Sequence, residues 1–480
     1  MVRIYFDKQI FSHLFKQEKS QYVDLLNKIK NHKTSLFCYS HAHLLDLKSD
    51  KTDIKYSELE FIETLVNDNY LSYHALEKKT SCYLAKPLDA FKDVEEETDH
   101  IDFSSILDFD TSKLPIEDIK KLEQAKTLLT EKFLDFGFID TDSIDSKVLD
   151  PLSKILPTDL PPMNIMEWSE HFMGMFKTMQ DDKSVYKGLR NVTDKHLNNG
   201  KFVVDYDEID FNEDLKDSYL QKSFLDYVRS NINPNGDKEM SNYDFFTNAY
   251  FTLDLLGISK EPSKSVRFNN VLNDGIHSYY GAYCDCVISD DNEFLKKTRV
   301  LYKLLGIETK VYHAEEFIKS FNFILDKEED SYQTFSKLLI NDIKTGIIID
   351  DFKSLNFDRH TSTIKPIHSY LGYFNRIDNL VEEGKNYLYF YRRTKNYSNF
   401  SFLREYELVV NSGFRVLGID QDSRGIFDWD TEKEELVNDK WNGRFWDFND
   451  FTIKIENNKG SKELSMLMAF RSESTAYNNI

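Results

Sequence analysis

The chain has 480 residues, 40% hydrophobic and 14% aromatic, enough for roughly two or three domains with sizeable cores. A formal net charge of -21 excludes a broad basic surface held to nucleic acid and leaves local basic grooves, transient contact or a basic partner. No window has a membrane-length apolar run, MVRIYFDKQIF lacks a signal-peptide pattern, and four cysteines make no disulfide framework. A cytoplasmic protein with no membrane attachment is therefore expected.

Val2 to Phe6 is a short β-type run closed by Asp7. A helix is expected to follow through Phe11, Leu14 and Phe15, and later Tyr22, Leu25, Leu26 and Ile29. Ser35 to Tyr39 is a second strand candidate, leading into Ser40-His41-Ala42-His43-Leu44-Leu45-Asp46. Ser40 is a natural N-cap for a helix that carries Asp46. Another helical pattern begins at Ser57 to Ile62.

Beyond the acidic run Glu95 to Glu97, residues 115–136 read as a helix with Leu122, Ala125, Leu128, Leu129 and Phe133 on one stripe. Pro157, Pro161 and Pro162 punctuate the next connection. Ile165 to Met179, rich in Met and aromatic residues, reads as a packed helix, and residues 213–230 and 242–256 as further helices. Lys183, Lys187, Arg190 and Lys195 form one basic patch; Lys260, Lys264 and Arg267 form another. Each suits either phosphate contact or a solvated surface, and Tyr186 either a stacked base or a core. His171 and His196 lack metal-ligand neighbours and are assigned to packing or surface.

Asn270 to Phe294 opens with helical spacing, which places Asp274 and His277 on one face. Cys286-Val287-Ile288 then suits a central strand stopped by Ser289, Asp290 and Asp291. Carboxylates at such an edge either cap the next helix or bind a hard cation that offsets their repulsion. Cys284 and Cys286 are expected to be core thiols, not zinc ligands. A helix to about Leu305 and a strand at Thr309 to Tyr312 complete a strand-helix-strand alternation, the pattern of α/β packing.

After residue 320, Leu338 to Ile340 and Gly346 to Ile349 are buried-segment candidates, and Ile367 to Leu380 a helix candidate. Tyr387 to Tyr391, Val409-Val410, Phe414 to Leu417 and Phe451 to Ile455 look like strands. Arg392, Arg393 and Lys395 give the first a positive edge; Trp429, Trp441 and Trp446 either close a core or recognise a partner.

Four segments together resemble the PIN-like nuclease superfamily: Ile4-Tyr5-Phe6-Asp7 with Phe11, Ser40 through Asp46, Asp274 with the aromatic-rich run after it, and Asp285 through Asp291 with Phe294. The resemblance covers residues 1–90 and 262–320 and implies one parallel α/β core split by a helical insertion, 91–261, and followed by a mixed, β-rich C-terminal domain, 321–480. It further implies Asp7, Asp46, Asp274 and Asp291 as catalytic carboxylates binding Mg²⁺ or Mn²⁺. His277, Ser289 and Asp290 would then support them, while His43 is a substrate contact or a packed cap. The implied activity is a nuclease, RNA favoured over DNA, with a regulatory protein partner suited to the acidic chain. An inactive interaction module and a small-substrate phosphatase are the alternatives.

Overall fold

The computed structural model describes residues 1–31, 35–96, 171, 174–175, 177–193, 210–218, 220–233, 239–258, 268–324, 331–353, 358–458 and 463–471. The expected helix over 115–136, the prolines at 157, 161 and 162, Lys195, His196, Lys260, Lys264, Arg267 and most of 165–179 lie outside them. Contacts divide the chain into two units: Met1–Phe91, His277–Leu295 and Tyr302–Ile480 in one, Lys92–Ile276 and Lys296–Leu301 in the other.

The first unit holds a six-stranded sheet of β1 (Val2–Phe6), β2 (Ser35–Ser40), β3 (Asn69–His74), β4 (Lys79–Leu84), β5 (Cys286–Ser289) and β6 (Lys310–His313), in the order β4-β3-β2-β1-β5-β6. β1 pairs parallel with both β2 and β5, so segments 282 positions apart in sequence become neighbours (Ile4 opposite Cys286, Phe6 opposite Ile288). Ile4, Tyr5, Phe6, Val287 and Ile288 have no exposed surface, which is why these central strands read as continuous apolar runs. β2 with β3 and β5 with β6 are also parallel, but β3 and β4 form an antiparallel hairpin. The sheet is therefore mixed where a parallel one was expected. Residues 69–84 carry no clear strand pattern in sequence, and the short connection between β3 and β4 closes only an antiparallel pair. The single helix expected after β1 is two, Lys8–Lys16 and Ser20–Asn31, broken where Gln17 turns left-handed at φ 52°.

The same unit carries a seven-stranded, wholly antiparallel sheet. Its strands are β7 (Ile347–Lys353), β8 (Arg359–Lys365), β9 (Arg376–Glu382), β10 (Lys385–Tyr391), β11 (Arg444–Asp447), β12 (Phe451–Asn458) and β13 (Glu463–Phe470), in the order β11-β12-β13-β10-β9-β8-β7. Tyr387 to Tyr391 and Phe451 to Ile455 are strands as expected; Trp441 and Trp446 are buried in this core. Several expectations fail. Val409-Val410 and Phe414 to Leu417 belong to a helix, Leu403–Leu417, whose buried residues Tyr406, Val409, Val410, Gly413, Val416 and Leu417 follow helical, not alternating, spacing. Leu338 to Ile340 is helical with Ile340 exposed, and Ile347 to Ile349 lies on the exposed edge strand β7. Much of the expected helix Ile367 to Leu380 is turn followed by β9.

A buried ion network ties the C-terminal segment to β1. Glu405 takes both arms of Arg3, from Nε and Nη2 at 2.6 Å each, and Arg392 bridges Glu405 (3.1 Å) and Asp285 (2.6 Å). Residues after 320 thus share a compact unit with β1 and β5 instead of standing apart. Arg392, expected on a positive edge, is a buried partner in this network.

In the second unit, Met179, Val185, Tyr186, Phe268 and Val271 form a buried cluster. Helices Phe224–Ile232 and Asn242–Leu255 are started by Ser223 and Ser241, whose hydroxyls accept from the backbone N–H of Asp226 and Asp244. Among the described residues no helix is long and apolar enough to cross a membrane.

Candidate active site

Because β1, β2 and β5 run parallel, their C-terminal ends open on one edge, the usual place for a site in an α/β sheet. Asp7 follows β1 directly. Its backbone N–H donates to Ile288 O at 2.9 Å, extending the β1–β5 pairing by one step. Asp7 begins the helix Lys8–Lys16 without a side-chain cap, so its carboxylate is not consumed there. Instead Oδ2 accepts from the buried Ser289 hydroxyl at 2.7 Å. That hydroxyl in turn accepts from the Asp291 backbone N–H at 3.0 Å. One side chain at the end of β5 thereby fixes both Asp7 and the turn that carries Asp291.

Asp291 is the exposed N-cap of the helix Asn292–Leu305, its Oδ1 accepting from the N–H groups of Glu293 (2.8 Å) and Phe294 (3.0 Å). Capping and charge are not exclusive here, since a carboxylate has two oxygens and the cap uses one. Asp46 projects from the helix His41–Ser49, and its Oδ2 accepts from Nε2 of His277 at 2.9 Å.

Burial raises the Asp7 pKa above the ordinary carboxylate value; the charges of Asp46 and Asp291 raise it further, while His277 and the Ser289 hydrogen bond work against them. Asp46 and Asp291, from two other segments, are therefore each within electrostatic reach of Asp7. Burial disfavours charge on His277, but the hydrogen bond and charge of Asp46, with Asp7 adding, raise its pKa above the usual imidazole value.

A chain of buried polar groups runs beneath. His277 Nδ1 meets the Tyr5 hydroxyl at 2.7 Å, which meets Ser40 Oγ at 2.6 Å. The Ser40 backbone N–H donates to His43 Nδ1 at 3.0 Å, so His43 stands where a capping box carries glutamate. With Nδ1 accepting, Nε2–H donates to Phe6 O at 2.8 Å, and both ring nitrogens are satisfied. His43 is wholly buried and takes the packed capping role, one of the two the sequence allows.

Of the adjacent pair, Asp290 is engaged by other groups. It accepts a short hydrogen bond from Tyr22, and Nε2 of His13 and of His313 each lie 3.7 Å from its oxygens. The sequence marks Tyr22 only as an apolar helix position and gives no signal for His13 or His313; each lies on a separate element, and no local motif joins them. Asp274, half-buried, lies one turn ahead of His277 on the helix Phe268–Gly281 but belongs to the second unit, so the group described here is Asp7, Asp46 and Asp291 with His277.

In the second unit, Tyr186 and Arg190 are corrected from candidate nucleic-acid contacts to core residues. Both are buried against Asp254, which accepts from the Tyr186 hydroxyl at 2.5 Å, from Arg190 Nη1 at 3.3 Å and from Lys297 at 3.4 Å. Lys183 is exposed and Lys187 half-buried on the same helix, so either side chain can reach solvent.

Asp7, Asp46 and Asp291 offer oxygen donors whose mutual repulsion a hard divalent cation would relieve, and each is oriented through one oxygen by a protein group. The donor set suits Mg²⁺ or Mn²⁺. Among the described residues no three His, Cys, Asp or Glu side chains are already drawn together as a metal-holding group. No protein-family model, curated protein or solved structure matches the chain.

Proposed function

We propose that the chain is a metal-dependent phosphodiester hydrolase of the PIN-like kind, with RNA favoured over DNA as substrate. The observation that supports it is the placement of Asp7 directly after β1, held by Ser289 at the end of β5, with burial and then the charges of Asp46 and Asp291 weakening its acidity. Asp7, Asp46 and Asp291 would hold Mg²⁺ or Mn²⁺, which when bound supplies Lewis acidity for attack on a phosphodiester. Ser289 holds Asp7 and the Asp291 turn in register, and the cap keeps Asp291 at a fixed place on the edge. The preference for RNA rests on the family resemblance.

The reading is tested with purified protein, structured and single-stranded RNA and DNA, and added Mg²⁺ or Mn²⁺. Asp291→Asn keeps an adequate N-cap but removes the charge. Turnover should fall on the order of 10²–10³-fold, the scale of losing one electrostatic stabiliser, with circular dichroism unchanged. Asp290→Asn should leave turnover near wild type, since that carboxylate serves Tyr22 and the two histidines. The reverse pattern would shift the assignment by one residue, and full activity in both would sink the site.

A catalytically inactive PIN-like protein or RNA interaction module is the second reading, favoured by the capping work Asp291 already does. Stoichiometric RNA binding without turnover under either metal would select it.

A further inference from the structure

His277 is buried, yet its two ring nitrogens engage polar groups from two other elements: Tyr5 of β1 through Nδ1 at 2.7 Å and Asp46 of the helix His41–Ser49 through Nε2 at 2.9 Å. A core histidine needs its nitrogens satisfied. Asp46, however, has a side chain 28% exposed, which water would solvate without help. Donating Nε2–H to such a group does little for Asp46 hydration. What it does is restrict the carboxylate to one orientation.

The Tyr5 hydroxyl restricts Asp46 by a second route. It also bonds Ser40 Oγ at 2.6 Å, and Ser40 is the N-cap of the helix that bears Asp46. A single buried hydroxyl thus fixes the start of that helix on one side and, through His277, its carboxylate on the other. His43 extends the chain to the Phe6 carbonyl, in the residue just before Asp7. The ring of His43 stands edge-on to that of His277 with centroids 4.6 Å apart, leaving neither ring free to swing. The two carboxylate-bearing segments are therefore braced against one polar chain.

We propose that His277, held by Tyr5, is a positioning residue for the carboxylate group, fixing Asp46 so that it stays within reach of Asp7 and meets a divalent cation in a set orientation. This rests on the metal-binding reading of Asp7, Asp46 and Asp291. Partners that orient metal ligands commonly govern affinity by 10–100-fold, so the roughly expected effect is of that size.

The test uses the full chain, freed of metal, with Mn²⁺ binding followed by titration calorimetry. His277→Leu should weaken Mn²⁺ binding by about 10–100-fold. His277→Gln, whose amide both donates and accepts, should recover most of that loss. Tyr5→Phe removes one oxygen atom and keeps the ring; it should give a smaller loss, and it carries the test if His277→Leu fails to fold. A purely structural role predicts lower thermal stability with unchanged affinity and no rescue by glutamine, and that result overturns the proposal. Metal-free crystals of wild type and of the His277 or Tyr5 variant separate the two possible failures. If Asp46 keeps its side-chain torsion in the variant, positioning is overturned whatever the calorimetry gives. If Asp46 moves but the wild type binds no Mn²⁺, the metal reading alone falls.

Discussion

His43 sits where three constraints meet: it completes the Ser40 cap, bonds the last carbonyl of β1 and packs against Phe11. Burial, with the neighbouring His277 adding, lowers its pKa from 6.5 to about 3. The imidazole is therefore neutral in the fold and becomes charged in the unfolded chain as pH drops below its ordinary value. The unfolded state then binds the extra proton, so the contribution of His43 to stability is present above pH 6.5 and is lost as pH falls towards 3. The expected slope from this one group is about 1.4 kcal/mol per pH unit. Urea unfolding of wild type and His43→Gln at neutral and mildly acidic pH measures it, because glutamine also serves at that capping position but does not titrate. The difference between the two proteins should change with pH in that direction; a constant difference would mean that the ring keeps its ordinary pKa in the fold, and the opposite change that it is protonated there. The same residue shows what sequence could carry. Ser40 as cap was readable from residue type and position, whereas the choice between cap and substrate contact for His43 depended on β1 lying alongside, which no local pattern states.

Among the elements, the strands at Val2 to Phe6, Ser35 to Ser40 and Cys286 to Ser289 were readable because central parallel strands are apolar throughout and end in polar residues. The hairpin of β3 and β4 was not, since Asn69 to His74 and Lys79 to Leu84 mix polar and aromatic residues as a partly exposed edge does. The valines of Leu403–Leu417 misled for a related reason: β-branched residues favour strands, but packing of the whole helical stripe overrode that preference. Gly281 is a close-contact position that residue type alone does not flag. At the end of the helix Phe268–Gly281, a Cβ there would lie 2.4 Å from Val287 Cγ2 and 2.9 Å from the Tyr302 hydroxyl. Val287 is in the middle of β5 and fully buried, so it has no room to yield. Gly281→Ala should therefore destabilise by about 1–3 kcal/mol, the usual cost of overpacking, despite alanine's better helix propensity. Chemical denaturation reads this directly, and a stabilised variant would show that the helix and β5 are not in such close contact.

Across the whole chain, the sequence suggested that residues 321–480 would stand as a separate domain, and the residues binding that segment to the sheet argue otherwise. Arg3 is buried on β1 and its guanidinium is satisfied by Glu405, Ser398 and the Phe400 carbonyl, all from the C-terminal segment. Asp285, just before β5, is held by Arg392, and Asp68, just before β3, takes a bidentate pair from Arg404 at 2.9 Å for each bond. Backbone bonds add to this: Tyr397 N–H to Ala282 O at 2.9 Å and Glu308 N–H to Lys395 O at 2.6 Å. Removing the segment would leave Arg3 without these carboxylate and carbonyl partners and would uncover the apolar surface around Tyr279 and Tyr283, which pack on Tyr397. Breaking one side of a buried ion pair costs about 3–5 kcal/mol, a large part of the usual stability of a domain. A chain ended after Ile324 is therefore expected to be insoluble or unfolded, even though it retains every strand of the six-stranded sheet and Asp7, Asp46 and Asp291. Arg3→Met in that shortened chain removes the stranded charge while keeping much of the side-chain volume. If the ion pair is the main tie, this variant should recover part of the lost solubility; if the uncovered aromatic surface dominates, it should not. Soluble expression and circular dichroism of the two shortened chains distinguish these cases. A shortened chain with arginine retained that folds cooperatively would restore the view of residues 321–480 as an independent domain.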